Sequence, residues 1–201
     1  VMHFCSEDLS SLYFDIRKDS LYCDRPDSLR RRGVRTVMDA AFLRLTVWLS
    51  PLAVFTTEEA WTTRFPEAGP NILRELPDQD PTWENVAETE RWGAIQGVLE
   101  AVNAALEAKR ADKLIGSGLE AAVDAAVSAD ALNAFAGIVP QDVFRTSAAS
   151  LSVGEAAVSI SRALGHKCER CWKVLPEVAP PKMLCERCDD AVSHMDATLS
   201  S

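Results

Sequence analysis

The sequence predicts a mainly α fold, a helical bundle followed by a small α+β subdomain and a four-cysteine finger. Three observations predict it. Apolar residues recur at three- and four-residue steps through most of the first 113 positions, and the period changes to strand-like alternation beyond Gly118. Two Cys-x-x-Cys pairs then stand near the end. The expected boundaries are 1–90 for the bundle, 91–165 for a helix with the α+β subdomain, and 166–201 for the finger and tail.

The elements follow in order. Phe4, Leu9, Leu12, Tyr13, Ile16 and Leu21 predict one helix from Val1 to about Cys23, broken by Arg25-Pro26-Asp27. Val34, Val37, Met38, Ala41, Phe42, Leu45 and Leu49 mark the buried stripe of a longer helix from about Ser28 to Leu49, which Pro51 interrupts. Thr56-Thr57-Glu58-Glu59 fits a capping box for a helix running through Trp61 to Phe65. Residues Pro66 to Pro81 are rich in Pro, Gly and Asp and predict an irregular connection, with Asp80-Pro81 as a helix start. Ile95, Val98, Leu99, Val102 and Leu106 predict a strong helix from Arg91 to about Lys113, ended by Gly116 and Gly118. Leu119–Val127, Val143–Val153 and Ala157–Ser161 read as three strands, with a helix at Asp130–Phe135. Residues after Met195 are expected to fray.

Composition narrows the class. Hydrophobic residues make up 47% and charged residues 25%, the balance of an ordinary globular chain. The longest apolar run, Leu45 to Phe55, is broken by Ser50 and Pro51 and is too short to span a bilayer. No secretory leader is visible, which predicts a cytoplasmic protein, and a chain opening at Val1 inside a helical pattern reads as a piece of something longer. The net charge of -9 is uneven: Glu58 to Glu90 holds nine acids against Arg64 and Arg74, and Arg30-Arg31-Arg32 stands outside it. Screening over about 10 Å lets such a basic cluster meet phosphate on an acidic chain.

Cys168-Glu169-Arg170-Cys171 and Cys185-Glu186-Arg187-Cys188 carry the sharpest signal. Each short turn presents two sulfurs to one point, and the intervening loop brings the pairs together, as tetrahedral Zn2+ requires. One structural zinc is the expectation; a redox pair, an iron–sulfur cluster or unbound thiols are the alternatives. Four thiolates leave no open position for catalysis. His166 could compete as a ligand, but with four cysteines available the favoured reading is a residue that supports the site or faces RNA, and Cys5 and Cys23 are expected as core thiols. Lys167, Arg170, Lys173, Lys182 and Arg187 either offset the thiolate charge or meet RNA phosphate. Trp172 either packs over the metal, the favoured reading, or stacks on an unpaired base. Gly116-Ser117-Gly118 lacks the spacing of a phosphate loop and reads as a turn.

These residues resemble a family. Ser11-Leu12-Tyr13-Phe14-Asp15-Ile16-Arg17-Lys18-Asp19-Ser20-Leu21-Tyr22 is similar to the opening helix of the anticodon-binding bundle in bacterial isoleucyl-tRNA synthetases. Leu52-Ala53 with Thr57-Glu58-Glu59-Ala60-Trp61, the stretch Lys113 to Ala121, and Lys167-Cys168-Glu169-Arg170-Cys171-Trp172 resemble later blocks in the same order. Gly118 departs from a serine common in the family. The resemblance implies the carboxy-terminal, tRNA(Ile)-binding part of such an enzyme, a monomer whose partners are tRNA and the catalytic and editing domains of its own parent chain. It implies no catalytic residue here, with ATP used only by the missing catalytic domain.

Phosphate and base contacts are then expected from Arg17, Lys18, Arg30, Arg31, Arg32, Arg35, Lys109, Arg110, Lys113, Arg170, Trp172 and Lys173. Two other readings compete: the finger of a DNA-repair glycosylase, and a zinc-stapled interaction module without nucleic acid.

Overall fold

The computed structural model describes residues 1–78 and 80–199. They form two compact units, one of Val1–Arg25 with the chain from Asn85 onward, the other Pro26–Glu84. The fold is mainly α with two small sheets. No helix among the described residues is long and apolar enough to cross a membrane.

The first unit opens on a helical stretch that differs from the ordinary helix expected. Phe4–Phe14 is wound as a π-helix before α1, Asp15–Cys23, continues in the standard pitch. The wider turn shifts the buried register, leaving Phe4 exposed and Cys5 half-buried where a core thiol was expected. Ile16, Ser20 and Cys23, spaced by four and three, form the buried face of α1. The next helix of this unit, Val86–Ala111 (α4), begins five residues before the expected Arg91 because the Asn85 side chain accepts from the Glu88 N–H. It buries the five residues expected of it, Ile95, Val98, Leu99, Val102 and Leu106.

These pack against a three-stranded sheet. Ser117 Oγ accepts from the Leu119 N–H and opens a short 3-10 turn, Gly118–Glu120, which leads into β1, Ala121–Val127. Ala121, Val123, Ala125 and Val127 point into the core, the period of two expected for a strand. The strand order is β2-β1-β3, with β2 (Ala148–Val153) parallel and β3 (Ala157–Arg162) antiparallel to β1; Val123 faces Ala149 on one side and Ile160 on the other. The parallel pair requires a crossover, made by α5 (Ala129–Ala134) and α6 (Pro140–Phe144).

Val143 and Phe144, expected to start a strand, lie in α6 instead. Pro140 presets its first turn and Arg145, with a φ of 57°, ends it in the left-handed region. Both residues are buried, and the Phe144 ring meets Phe135 edge-on at 5.7 Å.

The second unit is held differently. Ser28 caps α2, Leu29–Trp48, by accepting from the Arg31 N–H. Its apolar stripe is only partly covered, with Val34 and Val47 buried and Val37 exposed. Helix α3, Val54–Arg64, starts earlier than the expected capping box; Thr56–Glu59 sit inside it. The Thr57 hydroxyl turns back to the Ala53 carbonyl, and the Glu58 carboxylate accepts from the Asn71 and Ile72 N–H groups across the connection. Asn71 donates to the Thr46 carbonyl at 2.9 Å, and Arg74 lies 3.6 Å over the Trp61 ring while bonding Thr46, Asn71 and the Leu43 carbonyl. Asp80 starts a single 3-10 turn at Pro81–Trp83.

Candidate metal centre and its surroundings

The finger begins with a two-residue hairpin, β4 (His166–Lys167) against β5 (Val174–Leu175). Gly165 precedes it with a φ of +108°, and a Cβ there would stand 2.1 Å from the Leu175 carbonyl oxygen, so only glycine fits. Within the hairpin the Cys168 N–H donates to Lys173 and the Trp172 N–H to Cys168, with Trp172 in the left-handed region. This tight turn aims Cys168 and Cys171 inward. The second pair sits on α7, Glu186–Leu199, a helix without a forewarning period in the sequence: Cys185 immediately precedes it and Cys188 lies in its first turn. Partial positive charge at a helix amino terminus favours thiolates there. Helix persists beyond Met195, through the last described residue, where fraying was expected.

All four Sγ atoms lie within 4.8 Å of one another, and all four cysteines are buried. Cys171 and Cys185 are 3.8 Å apart, and the Cys185 N–H points at Cys168 Sγ at 3.4 Å. Four convergent thiol donors in a closed pocket could hold one metal ion, and that donor set suits a structural site. Without a cation, Cys171, Cys185 and Cys188 hold their protons more tightly than an ordinary thiol. A hydrogen bond with Cys188 and then burial push Cys171 up to about 12. Cys188, drawn down by its bond with Cys171, is still pushed up to about 12 by its bond with Cys23 and by burial. His166 is exposed and outside the cluster.

Cys23 is buried, as expected of a core thiol, but its place is against this cluster. Other groups also tie the finger to α1. Arg170 donates to the Tyr22 carbonyl at 2.9 Å, to the Cys23 carbonyl, and to Cys188 Sγ at 3.7 Å. Arg187 grips both Asp19 oxygens at 2.6 and 2.8 Å and reaches Asp24 at 3.0 Å. Lys173, nearly covered, pairs with Asp142 at 2.8 Å. Ser147 joins sheet to finger by accepting from the Val174 N–H. None of these long-range partners carries a local sequence signal; the repeated Cys-Glu-Arg-Cys was the one hint.

Beside the finger, a cleft of about 990 Å3 opens between α1, α4, α6 and the first cysteine turn. It gathers five of the expected RNA-facing residues, Lys18, Arg110, Arg170, Trp172 and Lys173. Their states differ. Trp172 is 60% exposed, with Lys167 Nζ 5.4 Å from its ring, so it does not pack over the metal as favoured. Lys18 pairs with Asp15 at 2.7 Å and Arg110 with Glu107. Burial works against ionisation of Asp15, yet hydrogen bonds from Lys18 and Arg145 hold its carboxyl below the usual range. Arg17 is half-buried on α1, and Lys109 pairs with Asp112 at 3.5 Å at the end of α4. Lys113, exposed, takes a left-handed conformation just beyond. Arg30, Arg31, Arg32 and Arg35 lie on the first turns of α2 in the other unit.

Fold and site together define a helical module closed by a four-cysteine cluster that could hold one metal ion. Its family is shown by comparison. Residues 1–125 match the family described as the anticodon-binding domain of tRNA ligase, and the chain belongs to that family. It is 49% identical to the isoleucine–tRNA ligase of Caulobacter vibrioides over 98% of this chain and 22% of that protein. The corresponding ligases of Gluconobacter oxydans (42% identical, 94% of this chain and 21% of that protein) and Ruegeria pomeroyi (41%, 96% and 21%) align similarly. The chain spans about a fifth of the length of these curated relatives.

Proposed function

We propose that this chain is the tRNA(Ile)-binding, carboxy-terminal part of a cytoplasmic, monomeric isoleucine–tRNA ligase, with one structural Zn2+ held by Cys168, Cys171, Cys185 and Cys188. The observation that carries it is the family match over residues 1–125 together with a four-sulfur cluster closing the same chain. Amino-acid activation with ATP, and editing, belong in this reading to the remaining four-fifths of the parent enzyme. The task here is positioning: gripping the anticodon stem-loop while the acceptor end reaches the distant active site.

Phosphates are met by the cationic side chains of Arg17, Lys18, Arg30, Arg31, Arg32, Arg35, Lys109, Arg110 and Lys113, and unpaired bases by stacking on exposed Trp172. Lys173 adds positive potential from the finger while paired with Asp142, and Arg170, engaged with the Tyr22 and Cys23 carbonyls, acts on the RNA through α1 and not as a phosphate ligand. Zinc is favoured over other cations because four buried, convergent thiolates suit its tetrahedral preference and leave no open position.

The test is a titration with tRNA(Ile), another tRNA and damaged duplex DNA at several salt concentrations, alongside elemental analysis. Preferential, salt-dependent binding of tRNA(Ile) and one zinc per chain is expected. Preference for damaged DNA would favour a glycosylase finger, and no binding to any nucleic acid a purely structural module. Either result would overturn the proposal.

A further inference from the structure

We infer that Arg170 and Arg187, the arginines inside the two cysteine turns, are positioning residues through which metal occupancy sets the carboxy-terminal end of helix α1. The inference rests on the tRNA-binding reading only for its consequence on RNA affinity.

The two turns have the same sequence, Cys-Glu-Arg-Cys, and both arginines reach the same target. Arg170 satisfies the Tyr22 and Cys23 carbonyls, two of the acceptors a helix end leaves without intrahelical partners. Its positive charge also sits at the negative end of the helix dipole. Arg187 places a planar fork on Asp19, one turn back, and also holds Asp24, whose side chain is 7% exposed. A carboxylate that deeply covered is costly to leave unpaired.

Neither guanidinium is held in place by a core of the finger's own. The buried residues around the sulfurs are the cysteines and Val178, with Leu175, Met183 and Leu184 only partly covered. The shape of both turns therefore depends on the ion that joins them. When the ion is bound the arginines are presented to α1; when it is removed both turns relax together. Lys18 and Tyr22 of that helix line the cleft beside the finger, so the state of the metal reaches the cleft wall through the backbone of α1.

Hydrogen exchange on the zinc-loaded chain, on the chelated chain and on an Arg170→Gln/Arg187→Gln variant tests this. Amides of residues 19–24 should exchange at least about tenfold faster after chelation and in the variant, while the α4 core at 95–106 keeps its protection. The variant should retain one zinc. Its affinity for an anticodon stem-loop should fall about tenfold with an unchanged salt slope, because every phosphate keeps its cationic partner; a slope lower by about 0.7 per arginine would make the two arginines direct phosphate ligands and overturn the inference. Unchanged exchange at 19–24 in the chelated chain would also overturn it, as would equal acceleration throughout α4. If the double variant loses zinc, Arg187→Gln alone is measured, and the chelation result stands as the deciding one. A chain that binds no tRNA defeats the functional proposal, and the exchange data still decide this one.

Discussion

Two regions of this molecule solve the same problem, too little apolar material, by different chemistry. The finger gathers four buried thiols around one point and, among the described residues, has Val178 as the one large aliphatic side chain fully buried beside them. Among the described residues of the Pro26–Glu84 unit, Val34, Val47 and Trp61 are the buried hydrophobic ones. Thr46, Ser50, Thr57 and Asn71 are buried with them, so polar burial equals or exceeds apolar burial there. Its centre is a knot of directed contacts: Asn71 to Thr46, Glu58 to two backbone N–H groups, and Arg74 stacked on Trp61. A metal cage concentrates stability in one removable ion. A polar knot spreads it over bonds that each contribute modestly and each cost much when half broken.

The sharpest way to break the comparison is to remove one sulfur. Cys168→Ser or Cys185→Ser should abolish stoichiometric zinc and unfold residues 166–199, the largest effect expected of any single substitution. Structural zinc is worth on the order of 10–16 kcal/mol in finger peptides, far above what the few apolar side chains here supply. Zinc content by elemental analysis and exchange across 166–199 report it; a variant that keeps one zinc per chain removes the ligand assignment. Acidity gives a second handle. Folded, metal-free Cys171 and Cys188 are pushed up to about 12 from an ordinary value near 9. That contribution is complete below pH 9 and disappears as pH rises through 9 to about 12, so whatever folded finger survives chelation should be lost there. The loaded chain should behave oppositely, releasing zinc on acidification as protons compete for sulfur, and loading at neutral pH should release protons measurable by calorimetry in buffers of different ionisation enthalpy.

The polar knot predicts a smaller effect. Asn71→Ala leaves the Thr46 carbonyl without its amide donor and deprives Arg74 of one acceptor in a covered site. The expected cost is about 1–3 kcal/mol, read as a lower denaturant midpoint with an unchanged slope. Asn71→Leu, similar in volume, should fare no better, because the partners remain polar and buried. A neutral Asn71→Ala would mean the bonds are dispensable and the small aliphatic core suffices.

The two regions were also unequally legible in the sequence. The sulfur quartet could be read because its ligands come in local pairs whose spacing reflects the geometry of one ion. The five core residues of α4 and the alternation of β1 were legible for the same reason, a short-range period. What escaped was long-range. Asp19, Asp24 and Cys23 meet the finger from the other end of the chain, and nothing in their neighbourhood announces it. Thr56 and Glu59 looked like a capping box because that pattern is local, whereas both lie inside α3 and Glu58 between them reaches Asn71 and Ile72. Helix α7 was hidden by a tail poor in large apolar residues, and its geometry begins at the second cysteine pair.

The smallest effect on stability should accompany a clear effect on binding, and it concerns Arg30, Arg31 and Arg32. They occupy the first turn of α2, which contains no acidic residue. Positive charge at a helix amino terminus opposes the dipole, by about 0.3–1 kcal/mol per exposed charge. Three consecutive cations at that place oppose the dipole, and an anionic partner would offset that cost. Replacing all three by glutamine should move the unfolding midpoint less than Asn71→Ala does. It should weaken tRNA binding and lower the salt slope by up to about 2, at about 0.7 for each phosphate of a single-stranded loop left unneutralised. A lower midpoint with affinity and slope intact would assign the cluster to folding after all, and would leave Pro26–Glu84 without its clearest link to RNA.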